Sequence, residues 1–586
     1  MEQAEWRMEH RGGRDGQPRM QGGGMVAEDP DEPGSGKAQI QAARTGAAGT
    51  PGKLKKLEGD AAPGARRSRS STGMDAGQPR TPAGGGCGAA EMPTSRRNWK
   101  ETQFGHGERR IWSRPGQPWT QEEGAGPWGA GAKAGPAGNL CVLHADVVTP
   151  SDVDLPPHSL PLTFFDVKWL RGPPVQRLFL YRLQDHHHHG NVQQLLSDLR
   201  ASLSKALNLF YPLAGHVRLA PDTNRYELFY QPGDGVSFTV AEYDADVGDL
   251  ASDGPVQVAM LAPLVPSLPK GRAVLALQAT VLLGGRGVAL GVTMHHTAGD
   301  DASSTHLLHT WAALCNGAVE MPPPPVLDHT LVADPRGLYD IYCQGMPSGG
   351  NEMEFVTSSV SSVPDDQLVA TFTLPQEVLT AIKEALAGEA TRHGAPPRRC
   401  SSTLAAYTFI WSCYYRAKKD QEQGHAKTTH FLFSVDHRAR LKPPLPATYF
   451  GNCSIPAIAV TRHDELTAAG TGGLFAAFTA IANALEEVVS EGYPERWDGC
   501  GKRVMEAAKA GMMFVVGSPR FRVYDVDFGF GRPAKVVAVS GAMPGAMPVA
   551  DARNGDGGVE VGLTFSAGGM EHFQRCFSDA MHAIGM

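Results

Sequence analysis

The chain has 586 residues, with 54 Lys and Arg against 61 Asp and Glu, a formal charge of -7; that balance gives no global attraction to nucleic acid or to an anionic membrane surface. Its 69 Gly and 44 Pro are about 19% of the residues, above the ordinary ~12%, so the fold is loop-rich or part of the chain does not fold. Nine scattered Cys form no C-x-x-C pair, which disfavours a zinc ribbon or a disulfide framework. The start, Met1-Glu2-Gln3-Ala4-Glu5-Trp6-Arg7, lacks the apolar core of a secretory signal, and no apolar run approaches the roughly 18 residues of a membrane span. The expectation is a monomeric cytoplasmic protein with no metal site, no nucleic acid and no membrane as partners.

Before residue 139, Leu, Ile and Val occur only as Val26, Ile40, Leu54, Leu57 and Ile111. Residues 1–138 cannot bury enough apolar surface to offset the entropy of ordering them, and they read as a disordered low-complexity extension. From Cys141 the texture changes. Val192, Leu195, Leu196, Leu199, Leu203, Ala206, Leu207 and Phe210 recur at helical spacing. Residues 225–230 and 236–240 read as strands, and 273–283 and 288–294 as a hairpin. Helical spacing returns over 302–315. Four prolines (322–325) and the polar stretch 346–364 look like linker. Beyond it come a strand (370–374), a helix (376–387), an apolar helix (403–416) with Ser401 or Ser402 as N-cap, and a strand (430–436). A long helix over 466–490, interrupted near Gly470, precedes two final strands (536–540 and 559–565). The run His186–His189 reads as a solvated loop. Helices and strands mix in both halves, so the class is α/β with two similar-sized domains, 139–345 and 369–586, joined by a crossover at 346–368.

The most informative segment is Thr293-Met294-His295-His296-Thr297-Ala298-Gly299-Asp300-Asp301. A strand of small apolar residues delivers two histidines into a tight turn, and a helix follows. A histidine fixed at a strand end is rigid and still reaches solvent, which suits a general base; His295 and His296 compete for that role. An acid four residues on is a second catalytic group or an anchor for the turn. Asp527-Phe528-Gly529-Phe530-Gly531, Tyr449-Phe450-Gly451-Asn452 and Phe210-Tyr211-Pro212-Leu213-Ala214-Gly215 complete a set of four motifs. Together they resemble the plant BAHD acyltransferases, which show H-x-x-x-D-G in the middle of the chain, D-F-G-W-G near its end, Y-F-G-N between them, and Y-P-L-A-G. Leu160–Asp166 with Trp169-Leu170 and Pro173–Phe179 is similar to the opening of the anthocyanin and phenolic-glucoside malonyltransferases. Two residues depart from the pattern: Asp301 stands at the Gly of H-x-x-x-D-G, and Phe530 at the Trp of D-F-G-W-G.

The resemblance implies two chloramphenicol-acetyltransferase-like domains with a channel between them, where acyl-CoA and a small phenolic acceptor meet at His296. No cofactor is resident; acyl-CoA, expected to be malonyl-CoA, is a co-substrate. His296 would take the acceptor's proton, and Asp300 would pair with Arg438 to orient the loop. Asp527, Gly529 and Gly531 would support the site, and Ser518 and Arg520 would contact CoA. No Arg or Lys lies in 301–305 for a malonyl carboxylate, which leaves Arg286, His306 and Arg438 as candidate cations. The alternatives are a hydroxycinnamoyl or other acyl O-/N-acyltransferase, and an inactive binding protein of the same fold. Because the resemblance starts only at 139, deleting residues 1–138 should leave the melting temperature and acyl transfer nearly unchanged. A lowered melting temperature or lost turnover in the truncated chain would show that the extension packs on the rest.

Overall fold

The computed structural model describes residues 139–586 apart from 184–189, 284–285, 345, 347–354, 360–365, 420–426 and 491–498. The extension 1–138, the His186–His189 run, the Gly284-Gly285 turn and most of the linker lie outside the described residues.

Among the described residues the strands form three sheets. The first runs Leu140–Val148, Val236–Tyr243, Leu275–Leu282, Gly287–Met294, Val175–Arg182, Lys535–Ala538. The second runs Ser454–Arg462, Thr428–Asp436, Met513–Val516, Ala546–Asp551, Val559–Phe565, Leu368–Leu374, Val256–Gln257. A small third sheet joins His158–Pro161, Tyr226–Tyr230 and His216–Leu219. Each large sheet takes an edge strand from the other half of the chain. Lys535–Ala538 pairs antiparallel with Val175–Arg182, and Val256–Gln257 pairs with Leu368–Leu374. The exchange covers edges that would otherwise present unpaired backbone groups.

The expected hairpin is present: Leu275–Leu282 pairs antiparallel with Gly287–Met294, Leu282 opposite Gly287. Gly287–Met294 is buried along its whole length, between that partner and Val175–Arg182. Small residues suit a strand with no solvent face. Gly291 meets the tightest constraint. A Cβ there would lie 2.1 Å from the Leu264 carbonyl oxygen and 2.9 Å from Val265 Cα, because the turn Ala262–Leu264 packs directly on the strand.

Helices cover the sheets. Gly190–Leu209 packs against Asp301–Asn316, and the buried Trp311 donates its Nε1–H to the Leu199 carbonyl and Ser202 Oγ, both at 3.0 Å. Ser402–Lys419 starts at Ser401, whose hydroxyl accepts from the Leu404 N–H at 3.2 Å; it buries Phe409, Ile410, Trp411 and Tyr414 against helices Gln376–Arg392, Gly472–Val489 and Ala567–Ala583. The expected helix over 466–490 is two, His463–Leu466 and Gly472–Val489, separated at Gly470. The strand expected over 536–540 stops at Ala538, and a tight turn takes Val539–Gly541.

One expectation is corrected. Gly472–Val489 is long and apolar enough to cross a membrane, with 18 residues at mean hydropathy 1.3. It buries Leu474, Ala477, Phe478, Ile481 and Val488, and it packs on strand Ser454–Arg462 and helix Ser402–Lys419, the position of a core helix. The polar Thr479, Asn483, Glu486 and Glu487 break the run in sequence, although the helix as a whole stays apolar. Substituting Gly291→Ala should destabilise the chain by about 1–3 kcal/mol, the ordinary range for overpacking, read as a lower melting temperature; an unchanged melt would mean that the Leu264 turn yields freely.

Candidate active site

Strand Gly287–Met294 ends at His295, whose N–H donates to the Val274 carbonyl at 2.8 Å. The two histidines then part company. His295 is fully buried, stacks on Phe355 at 3.9 Å, and accepts the Thr297 N–H on Nδ1 at 3.3 Å. Burial, reinforced by His296 next to it, lowers its pKa to about 3. It is a neutral structural ring. His296 opens the turn His296–Ala298 and is only partly buried. Its ring lies parallel to Trp169 at 3.7 Å and 8°. Nδ1 is buried without a conventional hydrogen bond, which leaves Nε2 as the edge open to solvent. Burial lowers the His296 pKa, while Asp301 and Asp300 pull the other way.

Asp300 faces away from that edge, into the protein. Its carboxylate and the Arg438 guanidinium make two parallel hydrogen bonds, Nη1 to Oδ2 and Nη2 to Oδ1, both 2.9 Å. Oδ1 also accepts the Ser303 N–H at 3.1 Å, which caps helix Asp301–Asn316, and Oδ2 accepts the Cys453 N–H at 3.1 Å. Burial alone would raise the Asp300 pKa, but Arg438 and these N–H groups hold it below its ordinary value. Arg438 also donates to the Gly451 carbonyl at 2.9 Å and the Tyr449 carbonyl at 3.2 Å.

A second carboxylate fixes the other side of the loop. Thr163 and Asp166 form a capping box at helix Phe164–Val167. Asp166 Oδ1 accepts from the Asn452 backbone at 3.0 Å and the Asn452 amide at 2.9 Å. That amide also donates to the His296 carbonyl at 2.8 Å, and Thr297 Oγ1 donates to the Asp166 carbonyl at 3.3 Å. Asp166, Trp169 and Asn452 thus hold His296 by its neighbours, its ring face and its backbone. Sequence reasoning quoted them as parts of motifs and assigned them no role. The T-x-x-D spacing at Thr163 was the available signal.

Asp301, the departure from H-x-x-x-D-G, is paired. Oδ1 accepts from Arg177 Nη2 at 2.9 Å and Oδ2 from the Gly517 N–H at 3.1 Å, while Arg177 Nη1 donates to Thr305 Oγ1 at 3.1 Å. A cavity of about 50 Å³ adjoins this pair, lined by Arg177, Gly517, Ser518, Phe521, Val536 and Pro548 among others. Ser518 accepts the Arg520 N–H at 3.3 Å, a local cap of the turn Pro519–Phe521. Arg520 is exposed and makes no ion pair among the described residues.

Asp527, Gly529 and Gly531 lie elsewhere. Asp527 Oδ1 accepts the N–H groups of Gly529 and Gly531 at 2.8 and 3.0 Å, in a turn whose glycines have φ of 100° and 105°. The Asp527 carbonyl accepts from Asn316 Nδ2 at 2.8 Å. Asn316 ends the helix that Asp301 begins, about 22 Å away along the axis at roughly 1.5 Å per residue. Phe528 packs edge-on against Trp311 at 4.7 Å, and Phe530 edge-on against Tyr181 at 4.9 Å. Of the candidate cations, Arg286 sits at the turn end of strand Gly287–Met294, opposite the histidine end. His306 Nε2 lies 2.7 Å from the Pro323 carbonyl oxygen. Among the described residues no group of three or more His, Cys, Asp or Glu is placed to hold a metal.

Removing either partner of the Asp300–Arg438 pair leaves a buried charge uncompensated, a loss of about 3–5 kcal/mol. Asp300→Ala and Arg438→Ala should each lower the melting temperature, and the double variant should lose less than the sum. Full additivity would dissolve the coupling.

Residues 140–580 match the Transferase family. Phenolic glucoside malonyltransferase 1 of Arabidopsis thaliana is 31% identical over 467 residues, covering 76% of this chain and 97% of that protein. Phenolic glucoside malonyltransferase 2 of Arabidopsis thaliana is 29% identical over 468 residues, covering 76% of this chain and 100% of that protein. The crystal structure of vinorine synthase superposes with a TM-score of 0.54 at 21% identity, covering 74% of this chain and 96% of that one, and so shares the fold. With the family matched over nearly the whole described chain and a relative 31% identical over almost its full length, this chain belongs to the Transferase family as a BAHD acyl-CoA-dependent acyltransferase.

Proposed function

We propose that this acyltransferase moves a malonyl group from malonyl-CoA to a hydroxyl of a flavonoid, anthocyanin or other phenolic glucoside, with His296 as general base. The observation that carries the mechanism is the state of the His296 ring: one face held by Trp169, Nδ1 buried, Nε2 open, and the neutral form favoured by burial. A neutral imidazole accepts a proton, and one fixed on three sides needs little reorganisation to do so. The donor and acceptor are proposed from the two malonyltransferase relatives.

In this reading Nε2 removes the acceptor's hydroxyl proton as the oxygen attacks the thioester carbonyl. The tetrahedral adduct collapses, the C–S bond breaks, and His296 returns the proton to the departing CoA sulfur. The enzyme carries no acyl group, because both substrates are held together and proximity lowers much of the barrier. Asp300 transfers no proton, since Arg438 and two N–H groups occupy its oxygens. Arg520 and Ser518 border the Gly517 segment where coenzyme A would pass.

Release of free CoA, measured across a grid of acyl-CoA donors and phenolic glucosides, tests the assignment; no turnover with any pair would defeat it. His296→Ala should lower kcat by about 10²–10⁴-fold with an unchanged melting temperature, while His295→Ala should act mainly through stability. The pH profile supplies a second check. A base with a depressed pKa stays neutral until the pH falls through that value. The acid limb of kcat/KM should therefore lie below the ordinary histidine value of about 6.5. A limb at or above it would remove the buried base.

A further inference from the structure

Lys168 is a cation beside His296 that no carboxylate in the described structure answers. It follows helix Phe164–Val167 as its C-cap, and the Asp166 network that holds the His296 carbonyl fixes this helix as well. Its Nζ donates to the Ser454 carbonyl at 3.1 Å and lies 5.5 Å from the Trp169 ring centre and 5.6 Å from that of Phe165. Trp169 in turn stacks on His296 at 3.7 Å. An ammonium has three donors, and one carbonyl takes one of them. Among the described residues Lys168 forms no ion pair.

The neighbouring carboxylates are committed elsewhere. Asp300 is paired with Arg438, Asp301 with Arg177, and Asp166 accepts from Thr163 and Asn452. Burial lowers the Lys168 pKa against the pull of Cys500, Asp166, Asp300 and Cys453. A partly buried charge with one carbonyl contact calls for an anion, and this one lies against the same Trp169 ring that holds His296. The other candidate cations do not compete. Arg438 is taken up by Asp300, Gly451 and Tyr449, His306 lies against the Pro323 carbonyl, and Arg286 is at the far end of its strand.

We propose that Lys168 binds the free carboxylate of a dicarboxylic acyl donor, such as malonyl-CoA, and so selects that donor over a neutral acyl-CoA. The inference rests on the acyl-transfer reading above and names the residue behind its donor choice. In a malonyl thioester one methylene separates the carboxylate from the reacting carbonyl, so the anchoring cation must lie close to the base. Lys168 Nζ and the His296 ring share Trp169 as a neighbour, at 5.5 and 3.7 Å from its ring centre, and the lysine charge is felt at the histidine. A carboxylate on the acceptor has the same chemistry, and the experiment separates the two.

The full chain, Lys168→Met, Lys168→Gln and Lys168→Arg are compared with malonyl-CoA and acetyl-CoA on one neutral glucoside. Equilibrium binding of both thioesters is measured calorimetrically. Lys168→Met and Lys168→Gln should lower the malonyl-to-acetyl ratio of kcat/KM by about 10–100-fold, the range of a charged hydrogen bond. The loss should fall on KM and on malonyl-CoA affinity, and Lys168→Arg should keep most of the preference. An unchanged ratio, or an equal fall with both donors, overturns the proposal and makes Lys168 structural. In a third arm, acetyl-CoA is given an acceptor carrying a carboxylate or its methyl ester. A change confined to that pair assigns the carboxylate to the acceptor and overturns the donor assignment. If the wild type turns over no acyl-CoA, the function proposed above fails, while the calorimetric ratio still decides for or against Lys168.

Discussion

Asp300 keeps its charge in a place where burial opposes it, and the geometry of the site depends on what makes that tolerable. Its carboxylate is the N-cap of helix Asp301–Asn316, half of a bidentate pair with Arg438, and acceptor for the Cys453 N–H. The helix N-terminus adds a favourable field. Three segments far apart in sequence therefore converge on two oxygens: the histidine turn, the end of strand Thr428–Asp436, and the chain entering strand Ser454–Arg462. Ser303 Oγ donates to the Gly451 carbonyl at 2.9 Å and accepts the Gly451 N–H at 3.0 Å. The turn holding His296 is thus bolted to the C-terminal half of the chain, and shifting the backbone of that turn would require breaking buried charged hydrogen bonds, the strongest kind available, while the imidazole itself is held by the Trp169 ring.

The same bookkeeping of charge explains how the chain carries Asp301 where its family carries glycine. An extra carboxylate one residue from a catalytic-type aspartate would normally weaken any anionic substrate nearby. Here Arg177, anchored by Thr305, lies 2.9 Å away, and the Gly517 N–H takes the other oxygen. Arg177 and the Gly517 N–H answer most of the extra charge, although Asp301 still pulls the His296 pKa upward against burial. Asp301 then becomes a joint between strand Val175–Arg182, the helix start and the end of strand Met513–Val516.

The fold was legible where periodicity and burial coincide. The Gly287–Met294 strand, the Gly190–Leu209 helix and the Asp301–Asn316 helix carry apolar patterns long enough to read, and the last begins at its Asp300 cap. Met513–Val516 is four residues long and Ala546–Asp551 carries Pro548 inside it, so neither reads as a strand, and the exchange of edge strands between sheets leaves no local signature at all. At the site, spacing marked the histidine turn but could not rank His295 against His296. That ranking depends on Phe355 covering one ring and Trp169 flanking the other, contacts between residues 60 and 127 positions apart. Lys168 was invisible for a related reason: a lysine beside two aromatics reads as a surface residue until the fold places it against the Trp169 ring that stacks on His296.

The distant Asp527 turn joins this account through the helix. Strand Val175–Arg182 clamps helix Asp301–Asn316 at both ends, through Arg177 to Asp301 at its start and through Tyr181 toward its finish. There the Tyr181 hydroxyl donates to the Val526 carbonyl at 2.9 Å, and the ring meets Phe528 and Phe530. Asn316 closes the far end on the Asp527 carbonyl. A helix fixed at two points cannot slide along its axis, so its N-cap, and the histidine turn that precedes it, inherit their position partly from a loop about four turns away. Phe530 fills the place of the family's tryptophan by packing on Tyr181 and Phe528. The apolar contact with Tyr181 and Phe528 is thus made here by a phenyl ring.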